Sequence, residues 1–179
     1  MKKVVLSLII ILIICMISGC KSNEKKIKNN EILYDMAVNY IISNDDSEDM
    51  GKERYNMFAD YIKFETTKDN KYRYAYMWIT TESYYVADNK IVSTTGSSMP
   101  YKFTFEMKKD KVVKYETPED GNRYAKSIKK MFPDDIENKV INYKYSSDKI
   151  IRDVKDFYKD ISDQDIYTYT GKEYIKLNN

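Results

Sequence analysis

The chain has 179 residues, with 30 lysine and arginine against 28 aspartate and glutamate side chains, a formal charge of +2, and no histidine. The lack of histidine excludes His-bearing zinc sites, Ser-His-Asp and Cys-His catalysis, and the side chain most often used for proton transfer near neutral pH. The balanced charge lacks the concentrated positive field that nucleic acid requires, so we expect no nucleic-acid partner.

The first twenty residues are typical of an export signal. Lys2 and Lys3 precede an apolar run, residues 4–17, whose only polar member is Ser7. The alternative is an uncleaved transmembrane anchor, but such a helix needs roughly 20 apolar residues. A positive start, a short apolar run and small residues before a cleavage point favour a signal peptide over residues 1–19.

The apolar run ends in Ile17-Ser18-Gly19-Cys20, which resembles the lipobox of bacterial lipoproteins. The resemblance implies that a diacylglyceryl group is attached to the Cys20 thiol and that a signal peptidase cuts before this residue. Two acyl chains, of the palmitate kind, anchor a protein stably, whereas one chain at about 0.8 kcal/mol per buried methylene binds only marginally. We therefore expect a lipid anchor on the outer face of the plasma membrane. The Lys-, Asn-, Ile- and Tyr-rich composition suggests a Gram-positive source.

Removal of residues 1–19 leaves a neutral chain, because Lys2 and Lys3 reduce the 30 basic residues to 28 and no acid is lost from the 28. Cys15 also leaves and Cys20 carries the lipid, so the folded part has no thiol for a disulfide, a metal or catalysis. Residues 20–30 form the lipidated cysteine and a polar tether. We expect residues 31–179 to form a single domain, since about 150 residues can bury a core.

The first predicted element after the tether is a helix over residues 31–43, where Ile32, Met36 and Tyr40 repeat at four-residue steps. The acidic cluster that follows, residues 44–49, does not fit a calcium loop. Counted from Asp45, the sixth position is Met50 rather than glycine and the twelfth is not glutamate. We predict a solvated loop here and no metal site.

Residues 61–117 alternate with a period of two, which predicts an antiparallel meander of four to five strands. Hairpin turns are predicted at 68–70, 88–90 and 109–111, because Asp and Asn tolerate left-handed backbone angles. Residues 96–100 are predicted to be a bulge or an edge irregularity.

Helices are predicted again after Pro118. One ends at Pro133, a second starts with the acids behind that proline, and a third spans residues 148–161. Its inward residues are predicted to be Ile150, Val154, Phe157 and Ile161, with Ser147 as the N-terminal cap. Residues 166–170 are either a terminal strand or a tail.

These elements predict an α+β fold in which an N-terminal helix and C-terminal helices cover one face of the sheet, like a cystatin-type or NTF2-type cone. Four aromatic side chains alternate along one strand and are the candidate face for a ligand or partner: Tyr72, Tyr74, Tyr76 and Trp78. The competing interpretation, which we favour, is that such a stripe packs in the core.

Residues 115–133 resemble a segment near the C-terminus of beta-lactam-sensor-type membrane metallopeptidases of Gram-positive bacteria. The shared series are Pro-Glu-Asp-Gly at 118–121, Lys-Ser-Ile-Lys at 126–129 and Met-Phe-Pro at 131–133. The peptidase part is absent, because its HExxH motif needs histidine. The resemblance implies a free-standing extracytoplasmic module with a sensing or interaction role.

The leading functional hypothesis is a non-catalytic surface lipoprotein that binds a protein or a cell-envelope ligand and uses no cofactor. One alternative is a cone that holds a small apolar ligand, and a second is a carboxylate-dependent hydrolase. The S-x-x-K pattern at residues 127–130 does not specify a penicillin-binding enzyme, because the S-D-N and K-T-G partner motifs are absent.

Overall fold

The computed structural model describes residues 25–26, 31–44, 55–109 and 111–177. The signal peptide, Cys20, most of the tether and residues 45–49 of the acidic cluster lie outside the described residues. Within these ranges, no helix is long and apolar enough to cross a membrane.

The described residues form an α+β fold, as predicted. The strands are β1 (Lys25–Lys26), β2 (Asn56–Lys68), β3 (Tyr72–Ala87), β4 (Lys90–Glu106), β5 (Val112–Glu116), β6 (Ile166–Tyr169) and β7 (Tyr174–Lys176). The helices are α1 (Glu31–Ser43), α2 (Tyr124–Met131), α3 (Asp134–Ile141) and α4 (Asp148–Phe157), and a 3-10 turn, Gly121–Arg123, precedes α2. The predicted bounds of α1 are confirmed.

All seven strands belong to one sheet in the order β1-β2-β3-β4-β6-β7, and β2 to β5 form the predicted antiparallel meander. On the side of β4 away from β3, β6 pairs in parallel with residues 91–93, whereas β5 pairs with residues 102–105. Between these two neighbours, residues 94–101 of β4 have no strand partner on that side among the described residues; we call this stretch the edge gap. Pro100 lies within it, as expected for a residue without a backbone N–H to donate.

Helices cover both faces of the sheet, so the prediction that they cover one face was wrong. Helix α1 packs on the face formed by Ala75, Met77 and Ile79, whereas α2 and α3 pack on the face formed by Tyr74 and Tyr76. Helix α4 lies on the same face as α2 and α3, further along the strands, where it packs against Tyr84. Because β3 is apolar on both sides, each face must be covered.

The predicted turns are confirmed where the structure describes them. Asp88 and Asn89 adopt left-handed backbone angles, with φ of 49° and 57°, which suits a two-residue hairpin loop. Asp69 holds the preceding hairpin, because its Oδ1 accepts hydrogen bonds from the backbone N–H groups of Lys71 and Tyr72, each at 2.7 Å. The region around residues 93–96 is an irregularity inside β4, where pairing with β3 shifts between Glu82 and Tyr84.

Three details of the last helix differ from the prediction. Helix α4 ends at Phe157 rather than at residue 161, and Phe157 is 58% exposed rather than inward, although Ile150 and Val154 are fully buried as predicted. Ser147 makes no capping hydrogen bond because its backbone is helical rather than extended. Instead, Ser146 Oγ accepts the N–H of Asp148 at 3.3 Å. Residues 166–169 form β6, so the terminal-strand alternative is confirmed and the tail alternative is wrong.

Candidate functional site

The aromatic row, defined as Tyr72, Tyr74, Tyr76 and Trp78, lies mainly beneath helices rather than on an open surface. Tyr74 is 8% exposed and Tyr76 is 1% exposed, and both pack in one cluster with Ile128 of α2. The ring of Tyr76 lies 5.5 Å from that of Phe132. The middle of the row is therefore core, and its side chains are not available to a ligand on the protein surface.

Trp78 lies at the end of the aromatic row, is partly exposed, and borders a polar region. Its ring lies 4.9 Å from that of Tyr143 in the segment between α3 and α4. Its Nε1–H donates to Ser98 Oγ at 2.8 Å. Tyr72, at the other end of the row, is also partly exposed, and the Lys71 ammonium lies 4.9 Å from its ring centre. Trp78 is the member of the row that contacts the serine and threonine hydroxyls of β3 and β4.

A polar row crosses the sheet beside Trp78. Asp60 on β2 pairs with Thr80 on β3, and Thr80 pairs with Ser98 on β4, so the three side chains lie on one face. The hydroxyls of Thr80 and Ser98 are 2.7 Å apart. The row separates the apolar cluster beneath α2 and α3 from the cluster beneath α4. The core is therefore interrupted by hydrogen-bonding groups at this position.

Glu82 lies two residues after Thr80 on β3, on the same face, and two tyrosine hydroxyls contact its carboxylate. The hydroxyl of Tyr84 donates to Oε2, and that of Tyr145 donates to Oε1 at 3.3 Å. Burial raises the pKa of Tyr145, and the negative charge of Glu82 raises it further. Tyr84 has a raised pKa for the same two reasons, with its hydrogen bond to Glu82 adding to burial. Both phenols are therefore held in the neutral, donating form.

A shallow recess of about 290 Å³ opens where the polar row meets the edge gap; we call it the hydroxyl recess. It is lined by residues 80–82, residues 93–98 and Tyr145. The recess exists because pairing shifts at Glu82 and because no described strand covers residues 94–101 of β4. At its centre, a Cβ on Gly96 would lie 2.8 Å from the backbone oxygen of Thr81, so the two strands approach closely there.

The hydroxyl recess suits hydrogen bonding better than acid–base chemistry. Its one carboxylate, Glu82, already accepts two tyrosine hydroxyls. The nearby Asp60 carboxylate is 21% exposed and lies 3.5 Å from the Lys149 ammonium. Each acid is thus engaged with a partner. In the described part of the chain, no group of three or more Asp, Glu, Cys or His side chains is placed to hold a metal ion.

Two other features are excluded from the candidate site. A larger recess of about 490 Å³ lies between Ile42, Phe58 and Phe157, but its lining residue Tyr55 directly follows residues 45–54, which the structure does not describe. Ser127, the serine of the S-x-x-K pattern, is 9% exposed. Its Oγ accepts the Glu119 N–H at 3.0 Å and approaches the Tyr124 carbonyl oxygen at 2.8 Å, as a donor. These contacts give Ser127 a structural role at the start of α2.

Sequence reasoning missed the hydroxyl recess. The available signal was the run Ser-Thr-Thr-Gly-Ser-Ser at residues 93–98, in which five hydroxyls flank one glycine. The local pattern predicts only strand with a bulge or an edge irregularity at residues 96–100. Its position at an uncovered edge depends on where β5 and β6 pair, which local patterns do not reveal.

Comparison of the chain with protein-family models, with curated proteins and with solved structures finds no match.

Proposed function

We propose that the chain is a non-catalytic surface lipoprotein, anchored through Cys20, whose folded part binds a protein or a cell-envelope ligand outside the cell. The observation that carries this proposal is the sequence of residues 2–20: two lysines, an apolar run and the Ile-Ser-Gly-Cys ending. Those features are typical of an exported chain that receives a diacylglyceryl group.

A binding role is supported by the kind of surface found beside Trp78. The hydroxyl recess is open and lined mainly by serine and threonine residues of β3 and β4, so most of its groups are carried by paired strands. Its carboxylate is occupied by tyrosine hydroxyls, which favours recognition over hydrolysis. The alternative of a closed pocket for an apolar ligand would need the aromatic row, but Tyr76 already packs against Phe132.

We also propose a cone-like sheet of the cystatin or NTF2 type. Strands β3 and β4 have 16 and 17 residues, longer than the usual range of about 3–10. Pairing shifts occur between Lys63 and Glu65 and between Glu82 and Tyr84, and such irregularities increase strand bending. Helix α1 packs against one face of this sheet. An experimental structure tests the proposal, which requires the sheet to curl around one of its faces.

The kinship with the extracytoplasmic module of beta-lactam-sensor-type peptidases is likewise a proposal. It is supported by the position of residues 115–133, which lead from β5 through the 3-10 turn into α2 and end at the proline before α3. A test is whether co-expression with such a membrane peptidase gives a specific crosslink between the two proteins. Absence of any crosslink would oppose a shared function.

The lipid anchor is tested by metabolic labelling of intact bacteria with an alkynyl fatty acid. We expect the native chain to be labelled and to fractionate with membranes, and a Cys20→Ala variant to lose the label. A Cys15→Ala variant is the matched control and should keep the label, because this cysteine is expected to leave with the signal peptide. If the Cys20→Ala variant stays labelled, or if the native chain is never labelled, the lipoprotein proposal is wrong.

A further inference from the structure

The hydroxyl recess is distinguished by the chemistry of its lining. Seven of its ten lining residues are serine or threonine, and Tyr145 adds a phenol. Thr80 and Thr81 are buried and bonded to the hydroxyls of Ser98 and Ser97, so the exposed hydroxyls are those of Thr94, Thr95 and Ser98. A hydroxyl both donates and accepts hydrogen bonds, and it rotates to suit its partner. A surface built from such groups is complementary to a ligand that also carries many groups able to donate and accept.

The charge of the lining favours a neutral ligand. Among the described residues, no lysine or arginine lines the recess, so a phosphate, sulfate or carboxylate ligand would lack a counter-charge there. Glu82 is the one charged residue of this described lining, and its two oxygens already accept the hydroxyls of Tyr84 and Tyr145. A cationic ligand would therefore find one carboxylate that is already engaged.

The edge gap is poorly suited to the addition of a peptide strand. Strand addition depends on a regular series of backbone N–H and C=O groups along the edge. Here Pro100 has no N–H, and the pairing of β4 is irregular next to Gly96. Bulges and prolines of this kind protect sheet edges from pairing with other chains. The side chains of the recess, rather than the β4 backbone, are thus the recognising groups.

We propose that the hydroxyl recess binds a neutral saccharide of the cell envelope, through hydrogen bonds from its serine and threonine hydroxyls and contact of the sugar ring with Tyr145. This inference rests on the proposed function, because it takes the ligand from the space outside the membrane. Partly exposed aromatic rings with a polar tip offer the combination of apolar contact and hydrogen bonding that a sugar ring requires.

The chain carries its own reporter for this binding. Trp78 is its only tryptophan, and its indole N–H donates to Ser98 Oγ at 2.8 Å. Ser98 lines the recess. A sugar that engages Ser98 should therefore change the emission of Trp78, and the change should saturate as the recess fills.

The test uses the full chain in detergent and chitotriose, a neutral trimer of N-acetylglucosamine, as the probe. Trp78 fluorescence and titration calorimetry both measure Kd. Thr95→Ala removes an exposed hydroxyl of the recess, and Ser98→Ala removes the one that contacts Trp78. We expect each variant to raise Kd about threefold to tenfold, the effect of one lost hydrogen bond between neutral groups. Ser43→Ala, at an exposed serine on α1, should leave Kd unchanged.

Two further probes separate the alternatives. The fully deacetylated trimer carries positive charges and should bind more weakly than chitotriose; tighter binding would overturn the neutral-ligand proposal. An uncharged extended hexapeptide should not bind, and saturable binding of the peptide alone would assign the recess to strand addition. If chitotriose does not bind, or binds equally well to both recess variants, the proposal fails. If Ser98→Ala does not fold, Thr95→Ala alone tests the proposal, because Thr95 is exposed and its substitution should leave the fold intact.

These measurements do not depend on the lipid. Failure of chitotriose binding would leave the Cys20 anchor and the surface location intact. Failure of Cys20 labelling with retained, recess-dependent chitotriose binding would refute the lipoprotein proposal and keep the saccharide site.

Discussion

Hydroxyl groups in this protein differ in how well they are paired, and the unpaired ones have consequences for stability. Thr104 on β4 is 3% exposed, and its Oγ1 has no hydrogen-bond partner among the described residues. Burying a hydroxyl without a partner costs about 1–3 kcal/mol in proteins. Ser127 is the opposite case, since its similarly inaccessible hydroxyl is bonded to the backbone around it.

We expect Thr104→Val to raise the free energy of unfolding by about 1 kcal/mol, because valine keeps the β-branched shape and removes the unpaired hydroxyl. Ser127→Ala should lower the free energy of unfolding by about 1 kcal/mol, because the Glu119 N–H loses its acceptor. Urea denaturation followed by far-UV circular dichroism measures both values. A destabilising Thr104→Val would mean that this hydroxyl is paired in solution, for example through a water molecule.

At the level of elements, the β2–β3 hairpin depends on one carboxylate. Asp69 accepts two backbone N–H bonds and the Tyr74 hydroxyl, the last at 2.6 Å. The Tyr74 hydrogen bond, followed by those of the backbone, lowers the pKa of Asp69. The charged carboxylate is therefore the form that the folded hairpin favours.

Asp69→Ala should lower the free energy of unfolding at pH 7, since the turn loses the carboxylate that accepts its hydrogen bonds. The loss should be only about 1 kcal/mol, because solvent largely screens the charge of Asp69. Because the folded pKa lies below the unfolded value, this contribution is present above pH of about 4 and is lost as pH falls through the folded pKa. The difference in free energy of unfolding between the native chain and the Asp69→Ala variant should therefore become smaller in acid. Tyr74→Phe is the control that removes a single bond. A difference that stays constant down to pH of about 2 would show that the Asp69 charge plays no part.

The elements also show which parts of the fold local sequence can predict. The turns at Asp69 and at Asp88–Asn89 were predicted because those residue types favour turn angles that few others adopt. Helix α1 was predicted from apolar residues at four-residue steps, but the predicted stripe was wrong at its start, because Ile32 is 60% exposed and the buried face is formed by Leu33, Tyr34, Ala37 and Val38. Coverage of both sheet faces was not foreseen, although the apolar residues on both sides of β3 were visible in the sequence.

The hydroxyl recess could not be predicted for a different reason. The recess depends on where the pairing of β5 and of β6 with β4 ends. Strand β6 is distant in sequence, since its Ile166 pairs with Ile91 of β4. The four aromatic residues illustrate the same limit. Their shared face was predictable, but whether α2 and α3 cover that face is a tertiary property, which buries Tyr74 and Tyr76 and leaves Trp78 partly exposed beside the hydroxyl recess.

At the scale of the whole molecule, the chain lacks the side chain that usually titrates near neutral pH. It has no histidine, and its two cysteines precede residue 21. Its 18 tyrosines include several whose pKa is raised by burial. Burial, together with a hydrogen bond to Asp35, raises the pKa of Tyr61 to about 12. Protons are therefore exchanged on unfolding mainly by carboxylates in acid and by tyrosines in alkali.

The free energy of unfolding should consequently be flat between pH of about 5 and 9, and should fall on either side. The alkaline limb has a definite sign. A tyrosine with a raised folded pKa stabilises the fold fully below the unfolded value of about 10, and this stabilisation is lost as pH rises through the folded pKa. In an alkaline titration, tyrosinate absorbance near 295 nm should therefore appear at higher pH than in the urea-unfolded chain, and should then rise together with loss of circular dichroism.

Tyr61→Phe should remove part of the alkaline slope of the free energy of unfolding and leave its acid limb unchanged, whereas Asp69→Ala should reduce the acid slope and leave the alkaline limb unchanged. A stability change of more than about 1 kcal/mol between pH 6 and 8 would contradict this assignment, because it would require a group that titrates in that range and whose pKa differs between the folded and unfolded chains by nearly one.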